Sequence, residues 1–186
     1  SVSSILAAAL TRDYAARQRI SLVGQRVASA EDLAVLAQVY RDPRFETFRV
    51  VFVDANNKVV SQLGLTSRLP ASAAALVGTD TYAYLNGLSA TAKKAGATGY
   101  YLLHNHPSGQ ARASTSDVRL TNTFEQHLPG LKFQSHVVID TNEYSTIKGG
   151  FSNLIQKDCG QSPPLGATGV TFSSPDDVVA YAKSLQ

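Results

Sequence analysis

In 186 residues there is one cysteine, Cys159, and no methionine, not even at position 1. A single thiol cannot close an intrachain disulfide, so the fold must rest on an ordinary apolar core, and a reducing, cytoplasmic setting fits. Cys159 sits beside Gly160, Gln161, Ser162, Pro163 and Pro164 and reads as a spectator thiol rather than a nucleophile. The missing initiator points to a chain that is processed or cut from something longer. No apolar run approaches the roughly 20 residues of a membrane-spanning helix, so no membrane partner is expected. The apolar start, Ser1 to Leu10, has no basic residues ahead of it and is not a secretory leader. Charged residues are only 17%, too few for a disordered chain or a coiled coil. Dense basic runs are also missing. The net charge is +3 and the pI about 9.0, but the nearest cluster, Lys93-Lys94, reads as a solvated helix face. Nucleic-acid recognition usually needs a clustered stripe, so DNA is a permitted partner with little support.

The hydrophobic content, 44%, is enough for one core with peripheral segments. Ser1 to about Arg19 has a helical pattern, and Ser29 begins a second helix that ends before Pro43. Phe45 to Asp54 is aromatic and β-branched and reads as a strand. It turns at Ala55 to Lys58 into a partner running from Val59 to Thr66. Arg68 to Gly78 is a loop. A helix capped by Thr79 or Asp80 runs through Lys94 to Gly96. A strand, Thr98 to Leu103, leads into His104-Asn105-His106-Pro107-Ser108-Gly109. A helix follows from Ser114 to about His127, stopped by Pro129-Gly130. Phe133 to Ile139 and Tyr144 to Ile147 form a last hairpin, and periodicity is lost from about Lys148. This order predicts an α/β fold, a mixed β-sheet with flanking helices. The expected division is an N-terminal helical extension at 1–43, a main domain at 44–149, and a linker with a short C-terminal helix at 150–186.

The chemistry is concentrated where the strand meets the Pro/Gly turn. Side chains alternate along a strand, so His104 and His106 point to one side, where two imidazoles can share a cation. Pro107 and Gly109 turn the chain sharply, and the first turn of the next helix can carry Asp117 back over the histidines. Two His and one carboxylate is a common ligand set in catalytic zinc sites, leaving a fourth position for water. Bland readings compete. Ser114 to Asp117 is also a plain capping box, and a lone His at a strand end is usually structural. The pair followed by a capped acid is harder to explain by packing. A hydrolytic site also needs a base. Glu46 is a candidate, although on sequence alone a strand-edge charge is the default reading.

The run His104 to Gly109, then Ser114 and Asp117, resembles the RadC-like branch of the JAMM metalloprotease superfamily, and the likeness spans roughly Phe45 to Ile147. The resemblance implies a cytidine-deaminase-like JAB/MPN fold, with Zn2+ held by His104, His106 and Asp117. It further implies Glu46 as general base, at the head of the first core strand, and Ser114 as support for the tetrahedral intermediate. Two positions depart from the pattern. Ala113 stands where a proline usually precedes the serine, and no acid occurs at Gln62-Leu63, where many members carry a glutamate. Were that missing acid the true base, the domain would bind metal without turnover. Thr66 to Pro70 resembles JAMM-like modules of large plasmid and phage proteins. His136 lies where the family often has Asp-His and reads as a structural or supporting group. His127 suits a helix C-terminus, Asn105 braces the loop, Ser108 and Gly109 serve the turn, and Arg68 and Arg112 flank the cleft.

The resemblance implies a zinc hydrolase acting on an amide bond in a peptide, protein or ubiquitin-like substrate. A DNA-associated module and a catalytically silent scaffold are the alternatives.

Overall fold

A computed structural model of the chain describes residues 20–41, 46–65, 79–106, 110–140, 142–157 and 159, with backbone alone at 65 and 79–84. The expected first helix, the loop 68–78 with Arg68, the turn residues Pro107 to Gly109, and the C-terminal part of the expected linker and helix from 160 onward lie outside these residues, whereas the linker expected from 150 instead begins with a strand at Phe151–Gln156.

Helix α1 (Ala30–Leu36) starts where Ser29 accepts the Asp32 N–H, and a 3-10 turn, Ala37–Tyr40, prolongs it. Strands β1 (Phe48–Val53) and β2 (Val59–Leu65) form the expected hairpin. Asp54 organises its turn by accepting the N–H groups of Asn56 and Lys58. Helix α2 (Thr79–Lys94) is closed by Gly96, whose φ of +96° places it in the left-handed region that ends helices. Then follow β3 (Gly99–Asn105), α3 (Thr115–His127), β4 (Lys132–Ile139) and β5 (Glu143–Lys148). A sixth strand, β6 (Phe151–Gln156), lies beyond the point where the sequence pattern fades. It is an exposed edge strand paired only with β5, so no buried face imposed an alternation that the sequence could display.

The six strands form one mixed sheet in the order β2-β1-β3-β4-β5-β6. Only β3 and β4 run parallel, joined through α3, and the other pairs are antiparallel. The sheet is covered on both faces. On one, Leu33, Ala37 and Tyr40 pack against Val51, Val53, Tyr101, Leu103, Val137 and Ile139. On the other, Leu85 and Ala92 from α2 and Leu120 and Phe124 from α3 pack against Phe48, Phe52, Tyr100 and Leu102. The central strands β1 and β3 are therefore buried on every residue, and apart from Arg49, His104 and Asn105 they read as apolar runs rather than alternations. Among the described residues, no helix is long and apolar enough to cross a membrane.

One irregularity reorients β4. Tyr100 pairs with Phe133 but Tyr101 pairs with Ser135, which leaves Gln134 as an extra residue. Such a bulge reverses the facing of everything after it. Phe133 packs on the α2/α3 face, yet Val137 and Ile139 pack on the other, and His136 is turned toward α3. Gly99 lets the backbones close at this point. A Cβ there would lie 2.9 Å from the Lys132 carbonyl oxygen and 2.9 Å from Gln134 Nε2.

Gly99→Ala should therefore lower stability by about 1–3 kcal/mol, the usual cost of overpacking. Gly87→Ala is expected to have the opposite sign. Gly87 is an exposed position inside α2 with nothing within 4 Å of an added Cβ, so the change should add roughly 0.5–1 kcal/mol of stability by removing a flexible glycine. Thermal melts of both variants check the pair, and equal Tm values would contradict it.

Candidate metal centre

The antiparallel register of β1 with β3 builds half of the site. Phe48 lies opposite His104, and continuing that register sets Thr47 against Asn105 and Glu46 against His106. Residues 46, 48, 104 and 106 thus share the face covered by α3. Asn105, of opposite parity, grips the start of β1, because its Oδ1 accepts both the N–H (2.9 Å) and the Oγ1–H (2.8 Å) of Thr47. Asn105, expected to brace the loop after β3, thus instead holds the segment that carries Glu46. The other half comes from α3, whose capping box is fully formed. Asp117 N–H donates to Ser114 Oγ at 3.0 Å, and Ser114 N–H donates to Asp117 Oδ2 at 2.8 Å. Both readings of Ser114 to Asp117 meet here, because the acid that closes the cap also faces the histidines.

Glu46, His104, His106 and Asp117 each offer a ligand atom, and these atoms all lie within 4.8 Å of one another. The two Nε2 atoms are 2.9 Å apart. Asp117 Oδ1 is 3.2 Å from His104 Nε2, and its Oδ2 is 3.1 Å from His106 Nε2. Glu46 Oε1 stands further off, at 3.6 and 3.7 Å from the two nitrogens. The carboxylates also differ in exposure, with the Asp117 side chain 5% exposed and that of Glu46 27%. Donors sharing a tetrahedral zinc-sized ion at about 2.0–2.1 Å stand roughly 3.3 Å apart, so the inner three have suitable spacing.

The ring nitrogens pointing away from the cluster decide what points into it. His106 Nδ1 faces the Gln110 carbonyl at 3.0 Å. A carbonyl only accepts, so Nδ1 carries hydrogen, and in the neutral ring Nε2 is left with its lone pair. Ala111 pins this loop to β5, its N–H donating to Glu143 Oε1 (2.8 Å) and its carbonyl accepting from Ser145 Oγ (2.5 Å). These clamps anchor the stretch where Ala113 replaces the usual proline. His104 Nδ1 meets His136 Nε2 at 2.7 Å, and His136 Nδ1 meets Thr121 Oγ1 at 2.6 Å.

Lone pairs that face lone pairs and carboxylates require a positive charge among them, either a proton or a cation. For Asp117, burial pushes its pKa up. Close contact with the His104 and His106 imidazoles and the hydrogen bond from the Ser114 N–H outweigh this and hold the carboxyl well below its usual range. For His106, burial pushes down, but the bond and charge of Asp117, aided by the Gln110 carbonyl and Glu46, leave it above the ordinary imidazole value. Burial, reinforced by the neighbouring His104, drives His136 well below that value, which favours its neutral form.

Spacing singled out His104, His106 and Asp117, the resemblance added Glu46, and neither pointed to Thr121 as a partner of His136. The signal was available, since Thr121 lies four residues after Asp117 and hence on the same helix face. Gln110, Glu143 and Ser145 offered no signal, because their roles arise from contacts distant in sequence. Gln62 lies on the opposite face of the sheet, accepting the Leu22 N–H and donating to the Ile20 carbonyl. Arg112 is exposed beside the loop.

The RadC-like JAB domain family model matches residues 27–151. A UPF0758 protein of Flavobacterium johnsoniae is 29% identical over 153 residues, covering 80% of this chain and 62% of that protein. One from Photobacterium profundum is 30% identical over 110 residues, covering 58% of this chain and 46% of its own length. A third, from Actinobacillus pleuropneumoniae, is 30% identical over 103 residues, with 53% and 42% covered. The chain thus spans from about two-fifths to three-fifths of the length of these curated relatives.

A cation must displace the proton that the raised His106 pKa retains above the ordinary value of about 6.5. Removing that proton becomes easier as pH rises. Affinity for Co(II), measured by competition with a chromophoric chelator, should therefore increase from pH 6 toward pH 8, by up to about tenfold per unit from this group. A pH-independent affinity over that interval would show that His106 Nε2 is not where proton and cation compete.

Proposed function

This chain belongs to the RadC-like JAB domain family, and from that premise we propose that it is a zinc-dependent hydrolase. Its substrate would be an amide bond in a peptide, protein or ubiquitin-like chain. The observation that carries the reading is the division between the two carboxylates. Asp117 is buried and in contact with both imidazoles, whereas Glu46 is five times as exposed and about half an ångström further from each. The first arrangement suits a ligand and the second a base that must meet solvent.

Two imidazole nitrogens and a carboxylate oxygen are a donor set for borderline-soft zinc rather than for a hard, oxygen-seeking ion. His104, His106 and Asp117 would hold it. When bound, the ion supplies Lewis acidity, which makes water acidic near neutral pH and polarises a carbonyl. Glu46 Oε1, at the solvent-facing edge, takes the proton of the attacking water and returns it to the departing amine. The Ser114 hydroxyl uses a lone pair in the capping bond, so its hydrogen remains to be donated to the developing oxyanion. Phe48, packed against His104 and backed by Phe124, forms an apolar floor that keeps the interaction of these charges strong.

The test uses metal analysis together with cleavage of a mixed library of proteome-derived peptides and lysine-linked isopeptides, read by mass spectrometry for new amino groups. The expected result is close to one zinc per chain and cleavage abolished by chelation. Glu46→Gln should retain zinc and lose about 10²–10⁴-fold in rate, as expected for a general base. Cleavage unchanged in Glu46→Gln would remove Glu46 from this role. A zinc-loaded protein that cleaves nothing in the library would favour the silent-scaffold reading instead.

A further inference from the structure

Behind the cluster, a buried chain of hydrogen bonds has only one consistent direction. Thr121 Oγ1 lies 2.7 Å from the Asp117 backbone carbonyl, one turn earlier in α3. That oxygen only accepts, so the single hydroxyl hydrogen of Thr121 is spent there. Toward His136 Nδ1, at 2.6 Å, Thr121 can therefore only accept, and Nδ1 must carry hydrogen. His136 is fully buried, with the Phe48 ring at 5.9 Å in an edge-on arrangement, a setting in which a neutral imidazole is strongly preferred. Its Nε2 then has only a lone pair, and the contact at 2.7 Å requires His104 Nδ1 to donate. With Nδ1 protonated, His104 presents a bare Nε2 to Asp117 and His106.

We propose that Thr121 and His136 are positioning residues for the metal centre. They form a one-way relay, from His104 through His136 and Thr121 to the Asp117 carbonyl, that locks His104 in the tautomer able to bind a cation. The proposal rests on the metal reading of the site above and deepens it. The relay closes on the backbone of Asp117 itself, so a ligand from β3 and a ligand from α3 are held in one network through β4. It depends on the bulge at Gln134, without which His136 would face the other side of the sheet. His106 is fixed separately, by the Gln110 carbonyl, so the two histidines have independent supports.

Thr121→Val keeps the shape but removes the acceptor for His136 Nδ1–H. A buried unpaired donor is costly, and His136 can relieve it by moving its proton to Nε2. It would then donate to His104 Nδ1, and the His104 proton would move into the cation site. Co(II) affinity should fall about 10–100-fold in Thr121→Val, the range seen when groups behind metal ligands are removed, and stay within about threefold of wild type in Thr121→Ser. The second readout needs no metal. Long-range 1H–15N spectra of the metal-free wild-type chain at pH 8 should show hydrogen on Nδ1 of both His104 and His136, and in Thr121→Val on Nε2 of both. Wild-type affinity in a folded Thr121→Val, or an Nε2–H tautomer of His136 in the wild type, overturns the relay. A wild-type chain that binds no Co(II) or Zn(II) overturns the metal reading beneath it, while the metal-free spectra still decide the tautomers.

Discussion

Two imidazole nitrogens 2.9 Å apart, flanked by carboxylate oxygens, can be neighbours only around a positive charge, a proton or a cation. The polar architecture of the domain is organised about this requirement. Each histidine has its outer nitrogen tied to an acceptor that leaves the inner one free, and the buried carboxylate is held ionised by the groups it faces. The outward-facing partners determine the inward-facing chemistry, which is how supporting groups tune metal ligands in general.

The sheet delivers these groups through register more than through local structure. The pairing of Phe48 with His104 brings Glu46 across from His106, and the grip of Asn105 on Thr47 keeps that alignment past the end of the strand. Helix α3 contributes Asp117 from its first turn, so one carboxylate both satisfies the helix terminus and faces the histidines. A single extra residue in β4 then turns His136 toward the site, and Gly99 allows the backbone approach that accommodates it. Stability and site geometry are therefore linked at the β3–β4 junction. A change that relieves crowding there would also reposition a buried imidazole.

The two carboxylates show how environment separates groups of the same chemistry. Asp117 is enclosed, with Phe48 packed against the His104 it faces and backed by Phe124, while Glu46 sits at the open edge. Burial limits one to holding charge, and exposure lets the other exchange protons with solvent. The proposed hydrolysis follows from that separation and does not depend on the identity of the substrate.

Much of this was legible in the chain itself. The element order from the Ser29-capped helix to β5, the hairpin turn at Ala55 to Lys58, the Gly96 stop and the Ser114 cap all depend on local backbone preferences, which neighbouring residues express directly. His104, His106 and Asp117 stood out because spacing along a strand and a helix start is local too. Glu46 did not, since a strand-edge acid is ordinary until the register sets it opposite His106, and resemblance alone marked it. The sequence by itself thus determined which side chains were available and which elements carried them. Only the tertiary structure decided that Glu46 joins the cluster, that Gln62 faces away from it, and that His136, turned by a bulge, completes a relay with Thr121. Those outcomes depend on strand pairing and β4 facing, and pairing is a long-range choice that no short stretch of residues can encode alone.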